Sequence, residues 1–539
     1  MRLKTITIDH FRSIEHIELH MPDKKPLVLF GPNNAGKSNI LAGINRLLGE
    51  RYPSYIEMLD SDYFCRDQKT YPKAEITATF DEPIYYDRYK GNVARIAVRY
   101  GKAGDPNNNL IHDGNGNKIY ISNEDRAKCQ SFLIDAERNI QSAFNYSSQY
   151  SLLSRFTKKI HAALSSEHKE DLTTAFETIK DSFEETEEFS SFFDTFSKAL
   201  SDSVKGFVHS LAVDFSAYDP NNYAKSLRIY AKEGDDVRGF EEFGTGEQQV
   251  LLMAFVKAYM ETFTAENFIL IIEEPEAHLH PLAQRWLKEF ITDICSSGIQ
   301  VILSTHSTDL IDISYLDGLV RVYKDDGITR AIQLSRDGLC EHCISLGVPE
   351  GKVSTDNIID FYSTKLFSDQ LKGFFAETII LVEGATEFFA LPEYLKKAGF
   401  SLAEHGVEIV NCRGKDTIPL LWRLFKSYRY NVFSIFDGDK NKKENTRIFK
   451  GLVDDNEWKD DETQFYMNDG YAYFGKDFET YFRSSIENYH DLELLAVNDY
   501  GITSKPGKAK AVAQLMEETP SFVLELVSRL EKLESKQTK

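Results

Sequence analysis

Long apolar runs are missing from this sequence of 539 residues. No segment approaches the roughly 18 uninterrupted apolar residues that a membrane span requires, and the opening MRLKTITIDHF lacks the apolar core of a signal peptide. The six cysteines are scattered without an even framework, which is typical of thiols kept reduced inside a cell. Cys340 and Cys343 form one CxxC pair, which is half of a four-ligand zinc site, but no second CxxC pair completes it. Zinc binding is therefore left as an open alternative. We expect a cytoplasmic protein with no membrane partner.

Positive charge is outnumbered by negative charge. The chain has 63 Lys and Arg against 84 Asp and Glu, which gives a formal net charge of −21. This balance argues against broad, nonspecific coating of DNA or of anionic lipid. Any contact with nucleic acid should therefore use a local basic patch or metal ions.

The run GPNNAGKS at Gly31–Ser38 is the most informative motif that is present. A glycine-rich loop of this form wraps backbone N–H groups around phosphate oxygens, while Lys37 reaches the outer phosphates and the Ser38 hydroxyl reaches Mg²⁺. The flanks predict a buried strand over 26–30 and a helix over 37–48, which disfavours a mere glycine turn with a surface lysine. The candidate nucleotide-binding residues of the loop are Gly31, Asn33, Asn34, Gly36, Lys37, Ser38 and Asn39.

Two later segments predict more of the nucleotide site. The apolar run at 268–272 is of strand length and ends in Glu273, expected to help hold Mg²⁺ through water, and Glu274, expected to polarise the attacking water. A further buried strand over 300–304 delivers His306 to the same sheet edge, where it could bond the terminal phosphate. Taken alone, a surface acidic pair or a satisfied histidine would explain each segment, but their order and strand-end placement favour the site.

The segment GTGEQQ at 244–249 opens an apolar helix over 250–263. Its backbone N–H groups would form a second anion-binding helix start, so Gly244, Thr245 and Gly246 are candidate nucleotide contacts. The alternative to a nucleotide contact is an ordinary glycine turn that binds no ligand.

With these motifs, residues 1 to about 330 resemble an ABC-type ATPase of the SMC and RecF kind. In that family two heads sandwich two ATP molecules, so the resemblance implies a dimer in which GTGEQQ of one subunit touches the phosphate held by Lys37 of the other. The segment departs from the family's serine-glycine-glycine signature, with Thr245 in place of the serine.

The stretch from 150 to 205 changes to helical periodicity with acidic clusters. It predicts either an inserted helical module or a solvated helical cap on the same domain. The roughly 200 residues between the phosphate loop and GTGEQQ lack sustained heptads, which excludes the long coiled-coil arms of SMC proteins.

Three apolar runs in the last third of the chain each end in acids. They are 378–382 before Glu383 and Glu387, 431–436 before Asp437 and Asp439, and 471–474 before Asp477 and Glu479. Glu387 follows Glu383 by four residues, so an opening helix would put both acids on one face. Parallel α/β sheets collect their ligands at the carboxyl ends of strands, and so many like charges need cations, for which Mg²⁺ or Mn²⁺ is suited.

EG followed by TE, and then DGD, resembles the Toprim fold of topoisomerases, primases and nucleases. With the ATPase head in front, the whole chain resembles the OLD (overcoming lysogenization defect) family of ATP-dependent nucleases, which includes the Gabija antiphage nuclease subunit and certain retron effectors. The resemblance implies one metal ion at Glu383, Asp437 and Asp439, a second at Glu387 with Asp477 or Glu479, and a Lys505 that offsets charge on the phosphate.

The fold implied is α/β: an ABC-type P-loop ATPase head with an inserted helical segment for dimerisation, followed by a C-terminal Toprim domain with a Rossmann-like parallel sheet. The boundaries we predict are 1–149 and 206–365 for the two parts of the ATPase, 150–205 for the insertion and 366–539 for the Toprim domain.

The function implied is an ATP-regulated, Mg²⁺- or Mn²⁺-dependent DNA endonuclease in antiphage defence. Its partners would be DNA, a second copy or a higher homo-oligomer, and a helicase-like protein or a retron reverse transcriptase with its RNA. Two alternatives stay open, namely a Toprim RNase acting, for example, on tRNA, and a noncatalytic ATP-driven sensor that controls a partner.

Overall fold

The computed structural model describes most of the chain. The described residues are 2–49, 51–86, 91–101, 110–113, 115–122, 125–126, 129–135, 152–192, 194, 230–233, 236–239, 242–263, 269–439, 442–453, 458–459 and 461–537. The strands are β1 (Leu3–Phe11), β2 (Ile14–His20), β3 (Leu27–Phe30), β4 (Ala74–Tyr86), β5 (Gly91–Tyr100), β6 (Leu110–Asp113), β7 (Ser131–Ile134), β8 (Tyr230–Glu233), β9 (Asp236–Gly239), β10 (Ile269–Glu273), β11 (Gln300–Thr305), β12 (Leu319–Asp325), β13 (Ile328–Gln333), β14 (Thr378–Val382), β15 (Val407–Asn411), β16 (Asn431–Asp437), β17 (Phe465–Met467) and β18 (Tyr471–Phe474). The helices are α1 (Lys37–Leu48), α2 (Leu152–Ala163), α3 (Ser166–Glu184), α4 (Thr245–Phe263), α5 (Pro281–Ser296), α6 (Arg336–Ser345), α7 (Ile358–Ser363), α8 (Ala385–Lys397), α9 (Thr417–Ser427), α10 (Lys442–Ile448), α11 (Phe478–Ser485), α12 (Tyr489–Asn498), α13 (Lys505–Leu515) and α14 (Ser521–Gln537).

The chain divides into two compact units. One combines Met1–Ala136 with Glu266–Lys539, and the other is Glu137–Ala265. The second unit contains α2, α3, α4 and the two-stranded β8–β9 sheet. Its described part from 152 to 184 is helical as predicted, whereas the boundaries 1–149, 150–205, 206–365 and 366–539 remain predictions.

The first unit holds an eleven-stranded sheet in the order β6-β5-β4-β1-β2-β13-β12-β3-β11-β10-β7. Its strands β12, β3, β11, β10 and β7 run parallel. Beyond β12 the sheet continues through antiparallel pairs and through one parallel pair, β13 with β2. β3 is buried along its whole length because it lies inside the parallel part. α1 follows it and buries Ile40, Ile44, Leu47 and Leu48, the spacing of an apolar helix face.

A second sheet, of five strands in the order β15-β14-β16-β18-β17, builds the C-terminal part. β15, β14, β16 and β18 are parallel, as predicted, and the edge strand β17 is antiparallel, a hairpin partner that the sequence pattern did not single out. The parallel register places Val382 beside Ile435 and Asp437 beside Phe474. The carboxyl ends of β14, β16 and β18 therefore meet at one edge.

An aromatic junction connects the two sheets inside the first unit. The ring of Phe30, at the end of β3, lies 4.9 Å from that of Phe374 and 5.7 Å from that of Tyr428. Arg321 of β12 donates to the Tyr428 carbonyl at 2.7 Å and stacks 3.5 Å from the Tyr430 ring centroid. The strand that enters the phosphate loop is thus packed directly against the segment that starts β16.

The remaining sequence predictions concern membranes and cysteines. Among the described helices, none combines the length and the apolar character that a membrane span requires. Cys340 and Cys343 are buried free thiols of α6, and the Cys343 sulfur lies 3.2 Å from the Tyr362 hydroxyl. That contact gives Cys343 a structural role in the helix packing.

Candidate nucleotide site and carboxylate cluster

The phosphate loop between β3 and α1 needs glycine at two positions. Gly31 has φ 143° and Gly36 has φ 106°, conformations that side chains rarely adopt. A Cβ on Gly31 would lie 2.0 Å from the Val322 carbonyl oxygen, and one on Gly36 would lie 2.1 Å from the Thr329 hydroxyl. The loop is therefore packed closely against β12 and β13.

Lys37 and Ser38 occupy the first turn of α1. The Lys37 ammonium donates to the carbonyls of Gly31 and Pro32, both at 3.0 Å, and the Ser38 hydroxyl donates to Glu273. Burial lowers the pKa of Lys37 to about 8, although nearby Glu274, Glu276 and Glu273 act in the opposite direction. A buried ammonium group that donates to loop carbonyls can exchange those hydrogen bonds for contacts with a phosphate.

The asparagines of the loop differ in their surroundings. Asn33 and Asn34 are exposed, and Asn34 adopts φ 62°. Asn39 donates to the Ser13 hydroxyl at 2.8 Å and accepts from Arg12 at 3.3 Å, and its predicted nucleotide contact remains a prediction. Its side chain thus braces α1 against the β1–β2 turn.

Glu273 and Glu274 end β10 beside the loop. Glu274 has φ 45°, a strained conformation for a non-glycine residue, and its N–H donates to the Ser304 carbonyl at 3.0 Å. Its carboxylate lies 3.4 Å from His306 Nε2. Burial and Lys37 lower the pKa of His306, against the effect of Glu274. The structure therefore brings the predicted Glu273, Glu274 and His306 together with Lys37.

Glu276 is a residue that the sequence argument did not select. It is 9 % exposed, and one of its oxygens accepts from the Thr305 hydroxyl at 2.8 Å and from the His306 N–H at 2.6 Å. Burial raises its pKa, although these hydrogen bonds oppose the rise. Glu276 fixes the backbone that carries His306, and its position as the fourth residue of EEPE was the available signal.

The GTGEQQ segment lies in the second unit. α4 begins at Thr245, and the Gly244 N–H donates to the Glu247 carboxylate at 3.2 Å, a capping contact within the helix start. Gly244 and Thr245 are exposed, and Gly246 is half-buried. The predicted helix start is confirmed, and its nucleotide contact remains a prediction.

The second site is formed by acids at the ends of β14, β16 and β18. We call these six residues the carboxylate cluster: Glu383, Glu387, Asp437, Asp439, Asp477 and Glu479. Burial raises the pKa of Asp437, and the nearby charges of Glu387, Glu383, Glu479 and Asp439 raise it further. Three separate segments of chain thus deliver acids to one edge, as predicted.

Backbone N–H groups orient the inner members of the carboxylate cluster. Glu383 accepts from the Asp437 N–H at 3.1 Å, and Asp437 accepts from the Phe478 N–H at 2.9 Å. Glu387 accepts from the Gly384 N–H at 3.1 Å as a capping contact of α8. The helix begins at Ala385, so the prediction that Glu383 and Glu387 share one helix face is wrong, because Glu383 precedes the helix on the strand end.

Burial and mutual repulsion change the protonation of these acids. Burial, with the charges of Glu383 and Glu479, raises the pKa of Glu387 to about 7. Burial, with four neighbouring acids, also raises the pKa of Asp437. Burial raises the pKa of Glu383 as well, although Lys415 and Lys505 oppose it. Such a site is destabilised when fully ionised unless a cation compensates it.

The outer members of the carboxylate cluster have their own partners. Asp477 caps α11 by accepting from the Thr480 N–H at 2.7 Å. Glu479, buried at 6 % exposure, lies 2.8 Å from the ammonium of Lys505, which begins α13. Although burial opposes it, the contact with Glu479 raises the pKa of Lys505. Asp439 pairs with Lys415, a lysine that the sequence argument did not select.

The donor set fits a hard divalent cation, because every member offers carboxylate oxygens. As the side chains stand, no three His, Cys, Asp or Glu residues within the described ranges are in an arrangement that could hold a metal ion. The predicted ligand set therefore requires side-chain movement within a cluster whose backbone positions already converge. The assignment of individual ligands remains a prediction.

Comparison with protein families agrees with this two-site organisation. An AAA ATPase domain model matches residues 1–131 and 108–311. A model described as Overcoming lysogenization defect protein-like, TOPRIM domain, matches residues 374–439. The first match covers more than half of the chain, and the second contains Glu383, Glu387, Asp437 and Asp439.

Individual relatives point the same way. The chain is 25 % identical over 455 residues to an OLD nuclease of Thermus scotoductus, which covers 81 % of this chain and 82 % of the relative. It is 29 % identical over 203 residues to the Old nuclease of Escherichia phage P2, covering 36 % of this chain and 33 % of the relative.

Solved SMC heads are also similar in part. The SMC head bound to the C-winged helix domain of ScpA has 19 % identity and a TM-score of 0.40, over 62 % of this chain and 98 % of that one. The SMC head domain of Thermotoga maritima has 15 % identity and a TM-score of 0.32, over 62 % of this chain and 99 % of that one.

Proposed function

We propose a function on the premise that this chain belongs to the OLD family of nucleases, in which an AAA-type ATPase domain precedes a Toprim domain. In this proposal, ATP binding at the phosphate loop controls DNA cleavage at the carboxylate cluster. Membership makes the chain an ATPase and a metal-dependent nuclease. The observation that supports the cleavage site most strongly is the meeting of Glu383, Glu387 and Asp437, with their raised pKa values, at one sheet edge.

In the proposed ATP site, each residue acts from its observed position. The Lys37 ammonium group would leave the loop carbonyls and bind the outer phosphates of ATP. The Ser38 hydroxyl, which donates to Glu273, would hold the Mg²⁺ of the nucleotide. Glu274 polarises the attacking water. His306, 3.4 Å from Glu274, donates to the terminal phosphate, while Glu276 keeps the histidine in place.

In the proposed nuclease site, Glu383, Asp437 and Asp439 would hold one Mg²⁺ or Mn²⁺, and Glu387 with Glu479 a second. When bound, two such ions would supply an activated water on one side of a phosphodiester and would stabilise the leaving oxygen on the other. We favour Glu479 over Asp477 because Glu479 is buried and its charge helps raise the pKa of both Glu387 and Asp437. Lys505, 68 % exposed at its side chain, turns from Glu479 to the substrate phosphate and offsets its charge.

Dimerisation is part of the proposal. Gly244 and Thr245 are exposed at the start of α4, where the helix presents N–H groups and a positive dipole end. A second copy that supplies these residues to the ATP of the first would complete the site, and a higher homo-oligomer would satisfy the same need. The family resemblance also suggests a role in antiphage defence and a helicase-like or reverse-transcriptase partner. Both are part of the proposal.

A plasmid-cleavage assay tests the proposed function. Supercoiled DNA is incubated with wild type and with Asp437→Asn while Mg²⁺ or Mn²⁺ and ATP are varied independently. We expect metal-dependent nicking that ATP modulates and that Asp437→Asn abolishes. Asp499→Asn, which removes an exposed acid at the end of α12, serves as the matched control and should cut normally. Intact plasmid with wild type under every condition contradicts the proposal.

A further inference from the structure

Lys415 is a nearly buried cation inside the carboxylate cluster. Its side chain is 14 % exposed, and its ammonium group forms an ion pair with Asp439. The same ammonium group lies 3.4 Å from the Asn445 side-chain oxygen. Asn445, 1 % exposed, in turn donates to the Gly438 carbonyl at 2.5 Å. Lys415 is thus attached to the DGD turn at two points.

The backbone brings Lys415 to this place. The loop after β15 is fixed to the end of β14, because the Cys412 N–H donates to the Val382 carbonyl at 2.9 Å and the Gly414 N–H donates to the Glu383 carbonyl at 2.8 Å. Lys415 follows directly and precedes α9. Its position between the strand end of Glu383 and the turn of Asp439 is therefore set by main-chain hydrogen bonds.

The charge of Lys415 acts on the carboxylates that are proposed metal ligands. It opposes the effect of burial on the pKa of Glu383, and it pairs with Asp439 directly. A lysine with a largely buried side chain is destabilising without an opposite charge, and repelling acids are destabilised without a cation. The lysine and the acids therefore stabilise each other.

We propose that Lys415 is the chain's own cation in the carboxylate cluster, and that a divalent ion binds at Asp439 only by displacing the Lys415 ammonium group. This inference rests on the proposed function, since it takes Glu383 and Asp439 as metal ligands. Lys415 is then a positioning residue, which keeps the acids together and sets how tightly the metal binds. Lys505, exposed and paired with Glu479, does not share this role.

Mn²⁺ binding to the full-length protein tests the proposal, followed by electron paramagnetic resonance and by thermal unfolding. Lys415→Gln should melt at a lower temperature than wild type in EDTA, bind Mn²⁺ about tenfold more tightly, and gain more stability from Mn²⁺. Lys415→Arg keeps the charge and offers a planar fork to Asp439, so it should bind Mn²⁺ more weakly than wild type. Lys396→Gln removes an exposed lysine of α8 and should match wild type.

The outcomes distinguish a lysine that competes with the metal ion from a purely structural lysine. An unchanged or weaker Mn²⁺ affinity in Lys415→Gln, with equal destabilisation in EDTA and in Mn²⁺, would overturn the inference and leave a purely structural lysine. If Lys415→Gln does not fold, the direction of the Lys415→Arg shift decides, and an affinity equal to or above that of wild type overturns the inference. If wild type binds no more Mn²⁺ than Asp437→Asn does, both the proposed metal site and this inference are overturned.

Discussion

Replacing Glu387 by glutamine should stabilise the protein in the absence of metal. Glu387 is 4 % exposed and lies among other acids, which raises its pKa from 4.5 to about 7. The folded state therefore binds a proton more tightly than the unfolded state, so stability from this group is present below pH 4.5 and is lost as the pH rises through 7. The full loss corresponds to about 3 kcal/mol.

The measurement is thermal unfolding in EDTA at pH 5 and at pH 8. Glu387→Gln keeps the acceptor for the Gly384 N–H but cannot ionise, so it should exceed wild type by about 2–3 kcal/mol at pH 8 and by little at pH 5. Mn²⁺ should reverse the order at pH 8, because only wild type retains the full ligand set. Glu404→Gln, at an exposed acid, is the control. A variant that is less stable than wild type at pH 8, or a difference equal at both pH values, refutes the reasoning.

Three further predictions concern the ATPase part and its junction. Gly36→Ala should destabilise the protein by about 2 kcal/mol or more and weaken ATP binding, because its Cβ would meet Thr329. The control Gly399→Ala, at a residue with φ 80° and open space around it, should lose less stability and less ATP affinity. Lys37→Ala should abolish ATP hydrolysis in a phosphate-release assay while leaving Mn²⁺ binding at the carboxylate cluster intact; retained hydrolysis contradicts its role. Phe374→Ala should cost about 3–5 kcal/mol in unfolding and uncouple cleavage from ATP, whereas unchanged ATP dependence would show that the aromatic junction carries no coupling.

The parts of the fold that the sequence predicted are those specified locally. A buried strand, a glycine loop and a helix start follow from neighbouring residues, so β3, α1 and β14 were expected close to their observed bounds. The convergence of three acidic strand ends followed from the general geometry of parallel sheets. Strand β17 was missed because three residues carry too little pattern.

The parts that sequence reasoning could not supply depend on tertiary contacts. Lys415 is one of many lysines until the loop after β15 is bonded to the end of β14. Glu276 gains its role only through Thr305 and His306, which lie about 30 residues away in the chain. The hydrogen bond from Asn39 to Ser13 likewise joins α1 to the β1–β2 turn, a contact that no local pattern predicts. A glycine-lysine pair after a strand was the available signal for Lys415.

The most direct test of the account joins metal occupancy to DNA cleavage in the same samples. Mn²⁺ is titrated into wild type and Asp437→Asn with supercoiled plasmid present, and bound Mn²⁺ and nicked DNA are both measured. We predict that occupancy and nicking rise together in wild type and that both are lost in Asp437→Asn. Nicking by Asp437→Asn at the wild-type rate would contradict the claim that the carboxylate cluster cuts DNA.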